Sequence, residues 1–216
     1  MQQTLEQVLL QLKSRNPQTK VLAVSKLQSV QKIRALYEQG QRLFAENYVQ
    51  EAVEKRAQLQ DLSIHWHFIG RLQKNKAKQV VGQFDLIHSV DSLELAEVIN
   101  RKAREKSLIQ KVLLQINLSE EDSKGGFSPA NFSEQISLLP SFSSLKICGL
   151  MTMPPLFEDP ELARPFFQKL KKIFDQIKPD FPELRELSMG TSSDYLVAAE
   201  EGATLVRLGT ILFGNR

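Results

Sequence analysis

One cysteine, Cys148, and three histidines are all the chain has of its thiols and imidazoles. A single cysteine excludes an internal disulfide and fits a reducing compartment. So few ligands leave little material for a metal centre. No apolar run approaches the length that crosses a bilayer. The opening stretch MQQTLEQVLLQLKSR lacks a basic segment followed by an apolar signal core, so no targeting signal is expected in it. It reads as an amphipathic helix with Leu5, Leu9 and Leu12 on one face. A net charge of only +3 over 216 residues gives no nucleic-acid or membrane footprint. Domain linkers, low-complexity segments and strong internal repeats are missing too. The expectation left standing is a cytoplasmic protein long enough to bury a full core.

What the chain does have is one unit repeated: a short apolar strand, a polar turn, then a helix with apolar spacings of three and four. VLAVSK is the first strand, an apolar run of the kind hidden on both faces in a parallel sheet. Ser29 opens the helix that follows, with Ile33, Leu36 and Tyr37 on one face and Gly40 at its end. RLFAEN, HWHFIG, FDLIHSV and KVLLQIN are the next strands. Between them lie helices through Val49, Val53 and Ala57, through Lys74 to Val81, and through Leu95, Val98 and Ile99, the last capped by Asp91 or Ser92. After the loop SEEDSKGG, Ser128 and Pro129 supply a cap and a first-turn proline. LKICGLM, LRELSMG and TLVRLG are the remaining strands, separated by a long helix through Phe166, Phe167, Leu170 and Phe174 and by a short one that Ser193 caps. About eight strands alternating with helices predict an α/β protein, a single closed (β/α)8 TIM barrel over 1–216, with a doubly wound open sheet as the competing arrangement.

A barrel carries its functional groups at the carboxyl ends of its strands. Those ends here offer Lys26, Asn47, Met189 with Thr191 and Ser192, and finally Arg207, Gly209 and Thr210. Taken alone, Lys26 is explained by a solvated lysine closing a strand, and glycine-serine turns before helices are common. Together, a strand-end lysine facing SMGTSS and RLGT suits a phosphorylated carbonyl compound. A deprotonated lysine amine condenses with an aldehyde to a Schiff base, and a partly buried site with Arg207 nearby favours the neutral amine. Pyridoxal 5′-phosphate (PLP) carries both an aldehyde and a phosphate.

The segments AVSK, FAENYVQE, WHFIGRLQKNK, HSVDS, GLMTMP, LSMGTSSD and VRLGTILFGNR, in this order across most of the chain, resemble the pyridoxal phosphate homeostasis protein family. The resemblance implies one barrel similar to the N-terminal domain of alanine racemase, the type III PLP fold, with PLP held covalently on Lys26. It also implies that Arg207 faces the pyridine nitrogen, that Ser192, Gly209 and Thr210 contact the phosphate, and that Asn47 lines the pocket. His67 and Met189 complete the cofactor-binding set. Ala45 stands where the family usually has glycine, and Thr191 where it usually has methionine.

A permanently charged arginine beside the pyridine nitrogen keeps that nitrogen unprotonated and weakens the ring as an electron sink. Alanine racemase manages this with two bases, one a tyrosine from a second domain; the chain ends at Arg216, so no such domain is expected. Tyr37, Tyr48 and Tyr195 lie within barrel helices and replace it poorly. The resulting expectation is a monomeric PLP carrier without robust catalysis, acting in PLP homeostasis and amino-acid and keto-acid balance. PLP-dependent apoenzymes would be the acceptors, with no nucleic-acid or membrane partner. A small racemase or Schiff-base lyase is the enzyme alternative, and a regulatory module whose conformation PLP sets is the third. Four side chains have plain structural explanations: His65 shares a face with His67, Arg71 and Lys74 begin a solvated helix, and Cys148 packs. Glu120, Glu121 and Asp122 lack calcium-loop spacing and read as a solvated loop.

Overall fold

The apolar run after Thr19 becomes strand β1 (Lys20–Val24), and its side chains divide by parity. Val21 and Ala23 face the surrounding helices, while Leu22 and Val24 point into the interior with Ala45. The computed structural model describes residues 2–119, 125–130 and 132–214. Seven further strands follow: β2 (Leu43–Glu46), β3 (His65–Phe68), β4 (Leu86–Val90), β5 (Gln110–Gln115), β6 (Leu145–Met151), β7 (Glu186–Ser188) and β8 (Leu205–Leu208). Each pairs in parallel with the next, and β1 pairs with β8, Leu22 lying opposite Arg207. The sheet is therefore a closed barrel and not the open sheet that strand–helix alternation also permits.

The helices between the strands are α1 (Leu5–Arg15), α2 (Val30–Glu38), α3 (Val49–Gln58), α4 (Ala77–Val80), α5 (Leu93–Glu105), α6 (Phe132–Ile136), α7 (Arg164–Ile177), α8 (Tyr195–Glu200) and α9 (Thr210–Phe213). Ser29 and Ser92 cap α2 and α5 by accepting from the backbone N–H of Lys32 and Leu95. Helix α8 departs from expectation: Asp194, not Ser193, occupies its cap position. Helix α6 is described over Phe132–Ile136, and Pro129 lies in a turn ahead of it. The reading of Glu120, Glu121 and Asp122 falls outside the described residues.

Two helical faces differ from the apolar spacing. In α1 the buried arc is Leu5, Val8 and Leu12, and Leu9 stays 45% exposed. In α3, Val53 and Ala57 face solvent, whereas Ala52 and Lys55 turn inward. A lysine enters a core only where a partner compensates its charge, and that partner sits on β2. Among the described residues no helix is long and apolar enough to cross a membrane.

Candidate functional site

Beyond the end of each strand the alternation of side chains continues into the turn, and this decides what reaches the barrel mouth. Val24 points inward, Ser25 outward and Lys26 inward again; on β2 Ala45 points inward, Glu46 outward and Asn47 inward. Lys26 and Asn47 line a cleft of about 520 Å³ at the carboxyl end of the barrel together with Arg71, Ser192, Arg207 and Thr210. Gly209, Thr191 and Ser193 belong to the same wall. The volume lies within the range of small-molecule sites. The Arg71 and Arg207 guanidinium groups and the Lys26 amine line it, and among its described lining residues there is no carboxylate. Such a cleft favours an anion.

The outward residues hold the Lys26 turn from behind. Lys55 Nζ donates to Ser25 O at 2.5 Å, to Glu46 Oε1 at 2.8 Å and to Glu51 Oε1 at 2.6 Å. Ser25 Oγ donates to Glu46 Oε1 at 2.6 Å, and Leu27 N donates to Glu51 Oε1 at 2.5 Å. Both neighbours of Lys26 are thereby fixed, and Leu27 is held at φ +60°, a strained conformation for a side-chain-bearing residue. Burial raises the Glu46 carboxyl above its ordinary pKa, with the Lys55 and Ser25 hydrogen bonds pulling it back. Among the described residues Glu46 Oε2 has no hydrogen-bond partner.

Arg207 enters the cleft from β8 and is almost fully buried. Nη1 donates to Ser188 O at 2.7 Å and Ser188 Oγ at 2.8 Å, and Nη2 donates to Thr152 O at 2.9 Å. Burial lowers its pKa to about 10, opposed by Asp194, so it stays charged at neutral pH. On the neighbouring wall Ser192 Oγ accepts from the backbone N–H of Gly209 at 3.3 Å and of Ile211 at 3.5 Å, and keeps its own hydrogen to donate. The Thr191 hydroxyl instead donates to Asp194 Oδ1 at 3.0 Å. Gly190, just before them in the chain, stands at φ +87°, and a Cβ there would meet Ala198 Cβ at 2.5 Å.

Two residues expected in the cofactor set lie elsewhere. His67 points into the barrel but two residues before Ile69, which is the β3 side chain in the cleft. That spacing puts it about 7 Å lower along the strand. It lines the opposite, amino-terminal mouth with Lys20, Asp85, Lys111 and Cys148. Met189 follows inward-facing Ser188, so parity turns it outward into the core under the helices. Arg71 is the converse: the basic stretch at 71–78 reads as a solvated face, yet Arg71 lines the cleft. The ion cluster of Glu46, Glu51 and Lys55 had no sequence signal beyond a charge inside an apolar stripe. None of the three tyrosines lines the cleft; Tyr48 caps α3 and is 52% exposed rather than lying within it.

Gly70 gives the first test of this geometry. A Cβ there would lie 2.0 Å from the Asn47 carbonyl oxygen, which must move. Gly70→Ala is expected to lower stability by roughly 1–3 kcal/mol, measured by denaturant midpoint, and to displace Asn47 from the cleft.

The fold and this rim define a class, the barrels of the alanine racemase N-terminal domain, whose family model matches residues 2–216. The chain belongs to the pyridoxal phosphate homeostasis protein family: it is 44% identical to the pyridoxal phosphate homeostasis protein of Aquifex aeolicus, over 91% of this chain and 87% of that one. Among solved structures it is similar to PipY of Synechococcus elongatus without PLP, at 41% identity and a TM-score of 0.90, covering 98% of this chain and all of that one. PipY with PLP bound matches at 40% identity and a TM-score of 0.88, covering 96% and 99% of the two chains.

Proposed function

We propose that this chain binds PLP in the cleft at the carboxyl end of its barrel and serves in intracellular PLP homeostasis as a carrier rather than a catalyst. The observation that carries the reading is a cleft of about 520 Å³ lined by Lys26, Arg71 and Arg207, with no carboxylate among its described lining residues. Asn47 Oδ1, buried and without a hydrogen-bond partner among the described residues, adds an acceptor suited to a polar ligand. The PLP-bound form of PipY and the names of the family relatives support the same cofactor.

When bound, PLP supplies an aldehyde that condenses with an amine and a phosphate that accepts hydrogen bonds. Lys26 would provide the amine, at the end of a turn that Ser25 and Leu27 hold still. Ser192, Gly209 and Thr210 would hold the phosphate, and Asn47 would order the ring from the side. Arg207, charged and committed to three acceptors, would face the ring nitrogen as a donor and cannot give that nitrogen a proton readily. That disfavours carbanion chemistry and supports a carrier role. The role we propose is in amino-acid and keto-acid balance, by a cytoplasmic monomer with PLP-dependent apoenzymes as acceptors.

The test is borohydride reduction of protein incubated with PLP, followed by mass spectrometry of its peptides. The expected adduct lies on Lys26 and disappears in Lys26→Ala; an adduct elsewhere overturns the assignment. Sustained turnover of an amino acid at about 1 per second or faster would favour a racemase or lyase instead.

A further inference from the structure

The interior of the barrel holds a row of buried polar groups that leads down from Arg207 of the cleft. Arg207 Nη1 lies 2.8 Å from Ser188 Oγ, Ser188 Oγ 2.9 Å from His88 Nδ1, and His88 Nε2 2.9 Å from His67 Nδ1. All four side chains are buried, and the row runs from the cleft at the carboxyl end to the amino-terminal mouth. The inward faces of β8, β7, β4 and β3 supply one residue each.

The direction of these bonds follows from chemistry. A guanidinium only donates, so Ser188 Oγ accepts from Arg207. The Ser188 hydroxyl then has one hydrogen to place, and His88 Nδ1 is the acceptor beside it; leaving it unplaced in a fully buried residue would cost a hydrogen bond. His88 therefore carries its hydrogen on Nε2 and donates to His67 Nδ1. His67 in turn carries its hydrogen on Nε2, toward the lower mouth. The reverse order would point every donor at the arginine charge.

We infer that Ser188, His88 and His67 form a one-way hydrogen-bond chain whose acceptor end fixes the Arg207 guanidinium, making His88 a positioning residue for the cofactor cleft. The direction of the chain stands independently of any ligand; its effect on the cleft rests on the PLP reading above. Buried imidazoles of defined tautomer are a costly filling for a barrel that elsewhere uses Leu86, Leu113 and Leu205 in its interior. Holding one charge in one orientation gives them a use.

Nitrogen-15 NMR of the unliganded protein labelled at histidine tests the direction. Both rings are expected in the Nε2–H form at pH 7, and an Nδ1–H form of either overturns the chain. Absorbance spectra of PLP-loaded protein test the effect. His88→Phe and Ser188→Ala are expected to shift the cofactor band and to weaken PLP retention about tenfold, as for loss of a bond to a charged group. His88→Asn, which keeps an acceptor near the Nδ1 position, is expected to restore the wild-type band. Folded His88→Phe and Ser188→Ala proteins with unchanged band and retention would overturn the positioning role. Failure of the wild type to take up PLP would refute the PLP reading instead and leave the NMR result standing on its own.

Discussion

Lys55→Met is expected to destabilise the folded protein by roughly 3–5 kcal/mol, the range for stripping one partner from a buried ion pair. In a chain of this length that corresponds to a melting temperature lower by about 10 °C. The reason is local. Glu46 is fully buried, one of its oxygens already lacks a partner, and Lys55 is the cation beside it, with a side chain only 7% exposed. Without that ammonium, Glu46 must stay charged in a dry site or take up a proton, so its pKa rises further. The sign follows: a carboxyl whose folded pKa lies above its unfolded value stabilises the fold as pH falls. The variant should therefore recover part of its loss on mild acidification. Guanidinium midpoints at pH 7 and pH 5.5 would show this. Removing both charges, as Lys55→Met with Glu46→Leu, should regain most of the loss because no fully buried ion is left unpaired; Glu51, which also loses Lys55, is partly exposed and keeps the Leu27 N–H. A single variant as stable as the wild type would mean the cluster does not hold the turn. The same change frees Ser25 and Leu27, so Lys26 should also be trapped less completely by PLP and borohydride.

Acidification of the wild type is the second large effect expected. His67 is 6% exposed, and burial lowers its pKa to about 4; Asp85 opposes the shift, while His65, Lys20 and Lys111 add to it. His88 is pushed well below its ordinary value by burial, with His67 and Arg207 contributing. An unfolded histidine titrates near 6.5, so between pH 6.5 and 4 the unfolded chain binds the proton that folded His67 refuses. The stabilisation is fully present above pH 6.5 and is lost as pH falls, by roughly 3 kcal/mol at pH 4 for His67 alone. Glu46 and Asp91, whose pKa values burial raises, work in the opposite direction. Comparison with His67→Asn separates the two. That variant keeps an acceptor for His88 but cannot titrate, and its stability should fall less steeply by about 1.4 kcal/mol per pH unit at most. Equal slopes in the two proteins would show that His67 is not a buried neutral imidazole.

Much of the molecule was legible in the chain. The short continuous apolar runs, the helical apolar spacings of three and four and the Ser29 and Ser92 caps are local signals, and they locate eight strands and the helices between them. Residues at strand ends reach the barrel mouth by position alone, so Lys26, Asn47, Ser192, Arg207, Gly209 and Thr210 could be named beforehand, and all six line one cleft. His67 and Met189 lie outside that cleft for two different reasons. Met189 fails on parity, which the strand itself carries: Ser188 and Met189 cannot both point inward. His67 has the right parity and the wrong height, and height depends on how far each strand is staggered against its neighbour.

The order of strands and helices, the identity of the groups at the strand ends and the family were set by the sequence alone, because each depends on neighbours within a few residues or on motifs in order. Closure was decided only in three dimensions, where Lys20–Ala23 pair with Leu205–Leu208 across the whole length of the chain. So was the burial of Lys55, since a charge turns inward only where the packing of α3 on β2 sets a buried carboxylate beside it. The histidine row belongs to the same category: its members come from four strands, and only the barrel's curvature brings them within hydrogen-bond reach.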